Sequence, residues 1–579
     1  MKTYLNNYVL NGLKEHWLAV FVSVCVGLLT VVPFLVFTQD DAYRGIAMMG
    51  SDAEEHYVAR IQEVYDGHPS LGNVFREDKD QPYATAGLGE IIVALIGKVL
   101  GMSAVQVNIF SKFLFVFLIS FFIYLLVYLM VKIKAAALIS SVAPILGYNL
   151  ISKIDPWLAL LRGESIDSMF LVFARPINPE VSVLILVVVL LLLYRAFYEH
   201  TSPKWWEIVA IGVLTGSSLY ISPYVFSFLG VLIAVSFVWF LIQKQFDLAH
   251  FAFMAGAIGL LTTVHFIINY ISLSAGVDYA ELAMRTGLVS KHLPLLLGFW
   301  IPIVFLLVFF IWPKNESKAR TFLLITITAL FLTINQHVLT GLYLHPGHYH
   351  WYITKPLVAI IGGIYVGFIL QLFFKNKRLY AVLTAIVIAF FFYNATLWQI
   401  NSYEQRYPVD IEIQEYATMF DYMRGLEKTE SIWAERKLSL YIPIYTHHNA
   451  PNNLHVIYYL NPKDFYENGL FLRYRLQKIH PDSVLEVMKK DLNEVSTQIF
   501  GMYLRESTGD PHAVPEDVLL DLERKYEVFH SRPFVEVFKD LGVTMVLVKD
   551  EERAAHDALP ALTEVYTGGG LVLYAVSPR

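Results

Sequence analysis

Roughly the first 400 residues of this chain carry repeated stretches of about 17–25 mostly apolar residues, each long enough to take a helix across a bilayer. In hydrocarbon every backbone N–H and C=O must be satisfied internally, so such stretches are read as helices. The first is 17–37, after Lys2 and Lys14. It is long for a signal-peptide core and lacks an A-x-A cleavage site, so it is read as an anchor. Further spans fall at 108–131, 134–151, 180–198, 205–221, 222–242, 249–271, 293–313, 320–336, 353–374 and 379–398, about eleven with the first. The shorter stretch 87–101 carries Glu90 and Lys98 and is expected to be re-entrant or interfacial.

Composition agrees with that reading. Hydrophobic residues make up 56% and charged residues 16%, with a mean hydropathy of +0.50, too apolar for a soluble globular chain. The single cysteine, Cys25, excludes an intrachain disulfide and a Cys-rich metal site. A net charge of −6 gives no reason to expect nucleic acid as a partner.

The charge pattern sets an expected orientation. With a cytoplasmic N-terminus, Lys132, Lys134, Arg195, Lys204, Lys244, Lys314, Lys318, Arg320, Lys375, Lys377 and Arg378 fall in short inner loops. The longer loops, with most of the acids, then face outwards: 38–107, 152–179, 272–292 and 337–352. The expected fold class is a polytopic α-helical membrane protein, 1–400, with a C-terminal extracytoplasmic α/β or α+β domain, 401–579. In the latter, 535–550 reads as helix, glycine turn and buried strand, and Gly568-Gly569-Gly570 as a turn before a final strand.

Chemistry-bearing residues gather in the outer loops. The segment 48–69, MMGSDAEEHYVARIQEVYDGHP, opens with two overlapping capping boxes, Ser51 with Glu54 and Asp52 with Glu55. Tyr57, Val58, Ile61, Val64 and Tyr65 then make an apolar stripe, with Asp52, His56 and Glu63 on a polar flank. This predicts a short helix at the membrane surface; on its own terms Asp52 is equally an N-cap. Loop 152–180 holds Asp155, Glu164, Asp167 and Arg175, loop 278–292 holds Arg285 and Lys291, and 335–352 holds His337, His345, His348 and His350.

Carboxylates and phosphate-compatible cations on one membrane face suit transfer from a lipid phosphate to a hydroxyl. A carboxylate takes the acceptor's proton, and cations neutralise the leaving phosphate. Bland readings stand beside this one. The histidines also fit an interfacial loop or a zinc site, Arg175 and Arg285 fit snorkelling, and Glu164 and Asp167 fit solvated positions.

The layout resembles the GT-C superfamily of membrane glycosyltransferases. It has one span, an outer loop with SDAEEHYVARI, a bundle of about eleven spans and an outer C-terminal domain. NQHVLTG followed by HPGHYHW looks like an outer-loop motif of bacterial members. The resemblance implies inverting transfer of a sugar from a polyprenyl phosphate or diphosphate to a glycan, lipid or protein acceptor, on the extracytoplasmic face of the cytoplasmic membrane. Asp52 matches the first-loop aspartate, the base. His348, His350, His345, Arg175 and Arg285 are the choices for the donor phosphate, and Glu55, His56, Tyr349 and Trp351 for the acceptor or sugar pocket.

Some GT-C enzymes use a divalent cation and others none, which leaves Mg or Mn at Asp52, Asp155, Glu164 and Asp167 open. The C-terminal domain lacks a WWDYG-type motif, against asparagine glycosylation. The alternatives are a transporter or flippase of lipid-linked sugars and a non-catalytic membrane assembly protein. Against transport, the spans hold few mid-depth ionisable residues and no related halves.

Overall fold

The computed structural model describes residues 2–51, 53–151, 153–199, 204–295, 300–313, 316–557 and 559–577, with side chains from Lys14 onward. Among them, seven helices are long and apolar enough to cross a membrane: Lys14–Phe37, Ala104–Val131, Glu180–Glu199, Pro223–Ile242, Ser317–Thr340, Pro346–Phe373 and Lys377–Arg424. Phe246–Thr262 and Val264–Ser274, bent by 43° at a short break, make an eighth if counted as one span.

The expected count of about eleven is therefore not reached by these criteria. Three of the expected spans form shorter helices, Lys134–Leu146, Trp205–Ser218 and Ile301–Ile311. At 1.5 Å per residue such helices cover only ~16–21 Å. Apolar composition extended the spans past the points where the helices stop, as at Gly147, which caps Lys134–Leu146 just after Pro144.

The first loop follows helix α1 (Lys2–Phe37) and contains α2 (Glu54–Tyr65) and α3 (Leu88–Leu100), before the second span α4 (Ala104–Val131). Helix α4 starts with a complete capping box, Ser103 with Gln106. Helix α3 stops at Gly101, whose φ of 68° suits a residue without Cβ.

Helix α2 differs from expectation. It does not lie on a surface: Val58, Ala59, Arg60, Ile61, Glu63 and Val64 are all buried. Its polar flank is enclosed because charges there have partners. Arg60 Nε lies 2.5 Å from Glu90 of α3 and its Nη1 donates to the Tyr459 hydroxyl at 3.2 Å. Lys79 closes on Glu63 at 2.9 Å.

The C-terminal part holds a four-stranded sheet made of β3 (Ile432–Ala434), β4 (Met545–Lys549), β5 (Leu562–Gly568) and β6 (Leu571–Val576), in the order β3-β4-β6-β5. β3 and β4 are parallel and the other pairings antiparallel. A separate antiparallel pair, β1 (Val289–Ser290) and β2 (Leu342–Tyr343), joins two loops of the helical part. The helix–glycine–strand reading of 535–550 matches Phe534–Asp540, a turn at Gly542 and β4.

One apolar cluster fills the helical bundle. A second runs from Val58, Ile61 and Phe75 of the first loop to Trp433, Tyr466 and Leu573, so loop and C-terminal part share a core. The helix Lys377–Glu412 passes through position 400 without a break, linking bundle to C-terminal part.

Close helix packing positions the site described below. The helix Lys355–Phe373 lies against Lys134–Leu146 through Gly363 and Gly367, four residues apart on one face. A Cβ at Gly363 would sit 2.6 Å from Ser140, and one at Gly367 2.4 Å from Ala136, whereas Gly362 faces open space. Gly367→Ile is accordingly expected to destabilise by about 1–3 kcal/mol, as overpacked positions do. Gly362→Ala is expected to leave the thermal unfolding midpoint of the detergent-solubilised protein in place. Equal midpoints for both variants would contradict this packing.

Candidate functional site

A lysine within an apolar helix needs a partner, because an unpaired charge there is costly. Lys112 of α4 finds one in Glu54, the first residue of α2, at 2.6 Å, with both side chains 0% exposed. Asn108 Nδ2, one turn earlier, donates to the same Glu54 oxygen at 2.9 Å. The other Glu54 oxygen accepts from Ser51 Oγ at 2.8 Å and from the Ser51 and Gly50 amides at 3.1 and 3.2 Å. Burial alone would raise the Glu54 pKa; the Lys112 charge and the hydrogen bonds from Lys112, Asn108 and Ser51 outweigh it and hold the carboxyl below its ordinary value.

Glu54 thus folds back on Ser51, one half of the expected capping box, while the helix itself begins after Ala53 in the left-handed conformation. Asp52, between them, lies outside the described residues.

Lys112 also donates to the carbonyl of Ala174. The next residue is Arg175, so a single ammonium fixes the backbone on two sides of one space. That space is a cavity of about 300 Å³ lined by Ser51, Tyr148, Arg175, Trp351, Tyr352 and Lys355, among others. Arg175 Nη1 donates to the Tyr352 hydroxyl, and its guanidinium stands 5.3 Å from the Tyr57 ring centre. Lys355 Nζ sits 4.1 Å above the ring of Tyr148, whose hydroxyl donates to the Trp351 carbonyl at 3.1 Å. The close helix pair explains this contact, since Tyr148 follows one helix and Lys355 begins the other. The result is two cations, two phenols and an indole around a small space, a set able to hold a phosphate beside a sugar ring.

The other residues singled out in the sequence take varied places. His348 stacks on Tyr224 at 4.5 Å and on Tyr352 at 5.6 Å, behind the phenol that binds Arg175. His350 is half-buried in the turn that carries Trp351. His345 is turned to the C-terminal part, 3.4 Å from Glu506. Tyr349 is 1% exposed and shares a 2.8 Å hydrogen bond with Ser227 inside the bundle.

Arg285 is fully buried away from this cavity, 2.8 Å from Glu281, donating to the carbonyls of Gln498 and Ile499 and lying over the Tyr466 ring. Those contacts fasten the helix Tyr279–Arg285 to the C-terminal part.

On α2, burial pushes Glu55 up to about 7, with the nearby Glu54 and Arg406 charges acting in opposite directions. His56 stacks on His455 at 4.6 Å and meets the Tyr459 hydroxyl at 2.9 Å. Burial, with the charges of His455, Arg60 and Arg175, holds it well below its ordinary value, so it is neutral.

Asp155 and Glu164 are exposed. Asp167 accepts from Asn149 at 2.7 Å; burial raises its pKa, partly offset by Asn149, Ser165 and the charge of Lys355. Among the described residues no group of three or more His, Cys, Asp or Glu is placed to hold a metal ion.

Sequence reasoning passed over Lys112, Lys355, Tyr148 and Tyr352, and read Glu54 only as a capping residue. For the two lysines the signal was present: each is a charge inside an otherwise apolar run.

No protein-family model matches the chain, and no curated protein does. Among solved structures it is similar to ArnT from Cupriavidus metallidurans bound to undecaprenyl phosphate, at 12% identity and a TM-score of 0.48, over 98% of this chain and 100% of that one. It is also similar to the oligosaccharyltransferase AglB from Archaeoglobus fulgidus in complex with an inhibitory peptide and a dolichol-phosphate, at 12% identity and a TM-score of 0.43, over 98% of this chain and 75% of that one. Both are GT-C superfamily members.

The buried pair gives a stability test. Lys112→Met strands the Glu54 carboxylate and is expected to cost about 3–5 kcal/mol, whereas Lys112→Met with Glu54→Gln recovers much of the loss. Thermal unfolding of the three proteins reads this directly. A single variant as stable as wild type would show that the pair holds nothing.

Proposed function

We propose that this chain is a membrane glycosyltransferase that moves a sugar from a polyprenyl phosphate or diphosphate to an acceptor on the extracytoplasmic face, with inversion at the anomeric carbon. The observation that carries the reading is the shared cavity of Ser51, Arg175 and Lys355. It joins the chain neighbour of Asp52 to two cations of the kind a leaving phosphate needs.

In the proposed step an acceptor oxygen attacks the anomeric carbon as the bond from that carbon to the phosphate oxygen breaks. The bonding pair leaves on the phosphate, and the acceptor's proton passes to the Asp52 carboxylate. Arg175 offers a planar fork and Lys355 a point charge to the growing negative charge. Tyr148, Tyr352 and Trp351 offer faces and hydroxyls to the sugar. Tyr352 and Tyr57 hold the Arg175 guanidinium from two sides, which keeps it oriented before the donor arrives. His348 acts through Tyr352, against which it stacks. Arg175 and Lys355 meet the phosphate's charge in this step, and Mg or Mn would be a further partner of the phosphate.

The acceptor is a glycan, lipid or protein hydroxyl, and the C-terminal part is read as standing on the same outer side. Its core is shared with the first loop, which supports a role in presenting the acceptor.

Release of polyprenyl phosphate from labelled lipid-linked sugars is the assay, with membrane-extract acceptors and with or without a divalent cation. Wild type is expected to release the carrier. Asp52→Asn is expected to lower release by about 10²–10⁴, the usual worth of general base catalysis. Lys355→Met and Arg175→Met are expected to lower it by about 10²–10³, as loss of one charge-stabilising donor does. Donor that binds without release by wild type would favour transport, and full turnover by Asp52→Asn would remove it as the base.

A further inference from the structure

Two cavities on the α1–α4 side of the molecule meet and share no lining residue with the proposed active-site cavity. The lower one, about 470 Å³, runs between the two spanning helices. Leu28, Val31 and Leu35 of α1 face Ile109, Phe110 and Phe113 of α4 across it. Leu28 and Leu35 are 44% and 45% exposed, so this groove opens to the hydrocarbon. The upper one, about 550 Å³, lies beyond the end of α1 and the start of α4 and is walled by Gln62, Asp66, Gln106, Arg424, Tyr445 and His447. Tyr43, Val105 and Gln106 line both and form the throat between them.

The upper cavity carries both signs of charge. Asp66 accepts from Gln62 Nε2 at 2.9 Å, which turns its carboxylate along the wall. Arg424 is anchored to the Tyr445 carbonyl at 3.1 Å and to Asp421 at 2.7 Å, and the His447 ring lies 4.2 Å from that of His448, tilted by 50°. An apolar groove open to lipid and leading into a chamber with one carboxylate and two basic groups suits a molecule of matching polarity. It needs a hydrocarbon tail, a phosphate and an ammonium. An anionic headgroup without an amine brings no cation to Asp66, and a sterol brings neither a phosphate nor an ammonium to the chamber.

We propose that this joined cavity binds an aminophospholipid of the surrounding bilayer, with one acyl chain between α1 and α4, its phosphate at Arg424 and His447, and its ammonium at Asp66. The cavity sizes fit within the usual range for lipid-sized ligand sites. A phosphate bound by Arg424 is a charge-assisted contact, and an ammonium on Asp66 has three N–H donors to share between that carboxylate and Gln62. The site adds a lipid to the molecule without entering the transfer reaction. It lies where the first loop, the second span and the C-terminal part meet.

The purified full-length protein is titrated in mixed detergent micelles with phosphatidylethanolamine, phosphatidylglycerol or phosphatidylcholine, and bound lipid is counted by native mass spectrometry. Phosphatidylethanolamine is expected to bind at least ~10-fold more tightly than phosphatidylglycerol, a difference of one decade in Kd. Asp66→Asn is expected to abolish that preference, Arg424→Gln to weaken all three lipids, and Val105→Trp, which plugs the throat, to remove the bound lipid. The thermal midpoint of each variant separates lost binding from lost folding, and the exposed positions of Asp66 and Arg424 make those two the safer variants. Equal binding of phosphatidylglycerol, or a preference that survives Asp66→Asn in a folded protein, overturns the proposal.

Discussion

The ammonium of Lys112 is the point on which the packing of the first loop against the bundle depends. It sits in a helix that must otherwise be apolar, so the fold has to bring it an acid and carbonyl oxygens. Glu54 and the Ala174 carbonyl come from segments that are remote in the chain, and both end on the same nitrogen. Two loops that have no reason of their own to be neighbours are thereby set at a fixed separation. Ser51 and Arg175 stand one step beyond those contacts, and the cavity between them follows.

The same economy recurs farther out. Arg60 ties α2 to α3 through Glu90 and to Tyr459, and Arg285 ties the helix Tyr279–Arg285 to the carbonyls of Gln498 and Ile499. Each is a buried cation whose partners lie on different segments. Removing one partner leaves a charge in a medium that cannot solvate it, so these links are cooperative. They also account for the shared apolar core. Once the cations have drawn the first loop and C-terminal part together, Phe75, Ile61 and Tyr459 close over one another.

The helical bundle and the strands near the C-terminus were legible because they rest on local rules. Long apolar runs gave helices, glycines with positive φ gave the turns at Gly542 and Gly569-Gly570, and short continuous apolar runs beside those glycines gave β4 and β6. Span number was less legible, since hydropathy does not mark where a helix stops short, as Lys134–Leu146 does at Gly147. The surface position expected for α2 failed for a related reason. Glu54, Arg60 and Glu63 look like solvent-facing residues until their partners on α4, α3 and the loop after α2 are known. Arg175 was visible as a candidate, whereas Tyr148 and Lys355 depend on two glycines that let their helices touch.

The helix Lys377–Glu412 has 36 residues, about 54 Å at 1.5 Å per residue, against a hydrocarbon core of ~30 Å. Its far turns therefore stand clear of the bilayer as a mast stepped in the bundle. Arg406, in those turns, donates to the Met49 carbonyl at 2.7 Å, so the mast also braces the strand of chain that leads to Ser51. A rod of this kind carries torque. The C-terminal part is joined to the membrane bundle through a continuous helix rather than through a loose linker.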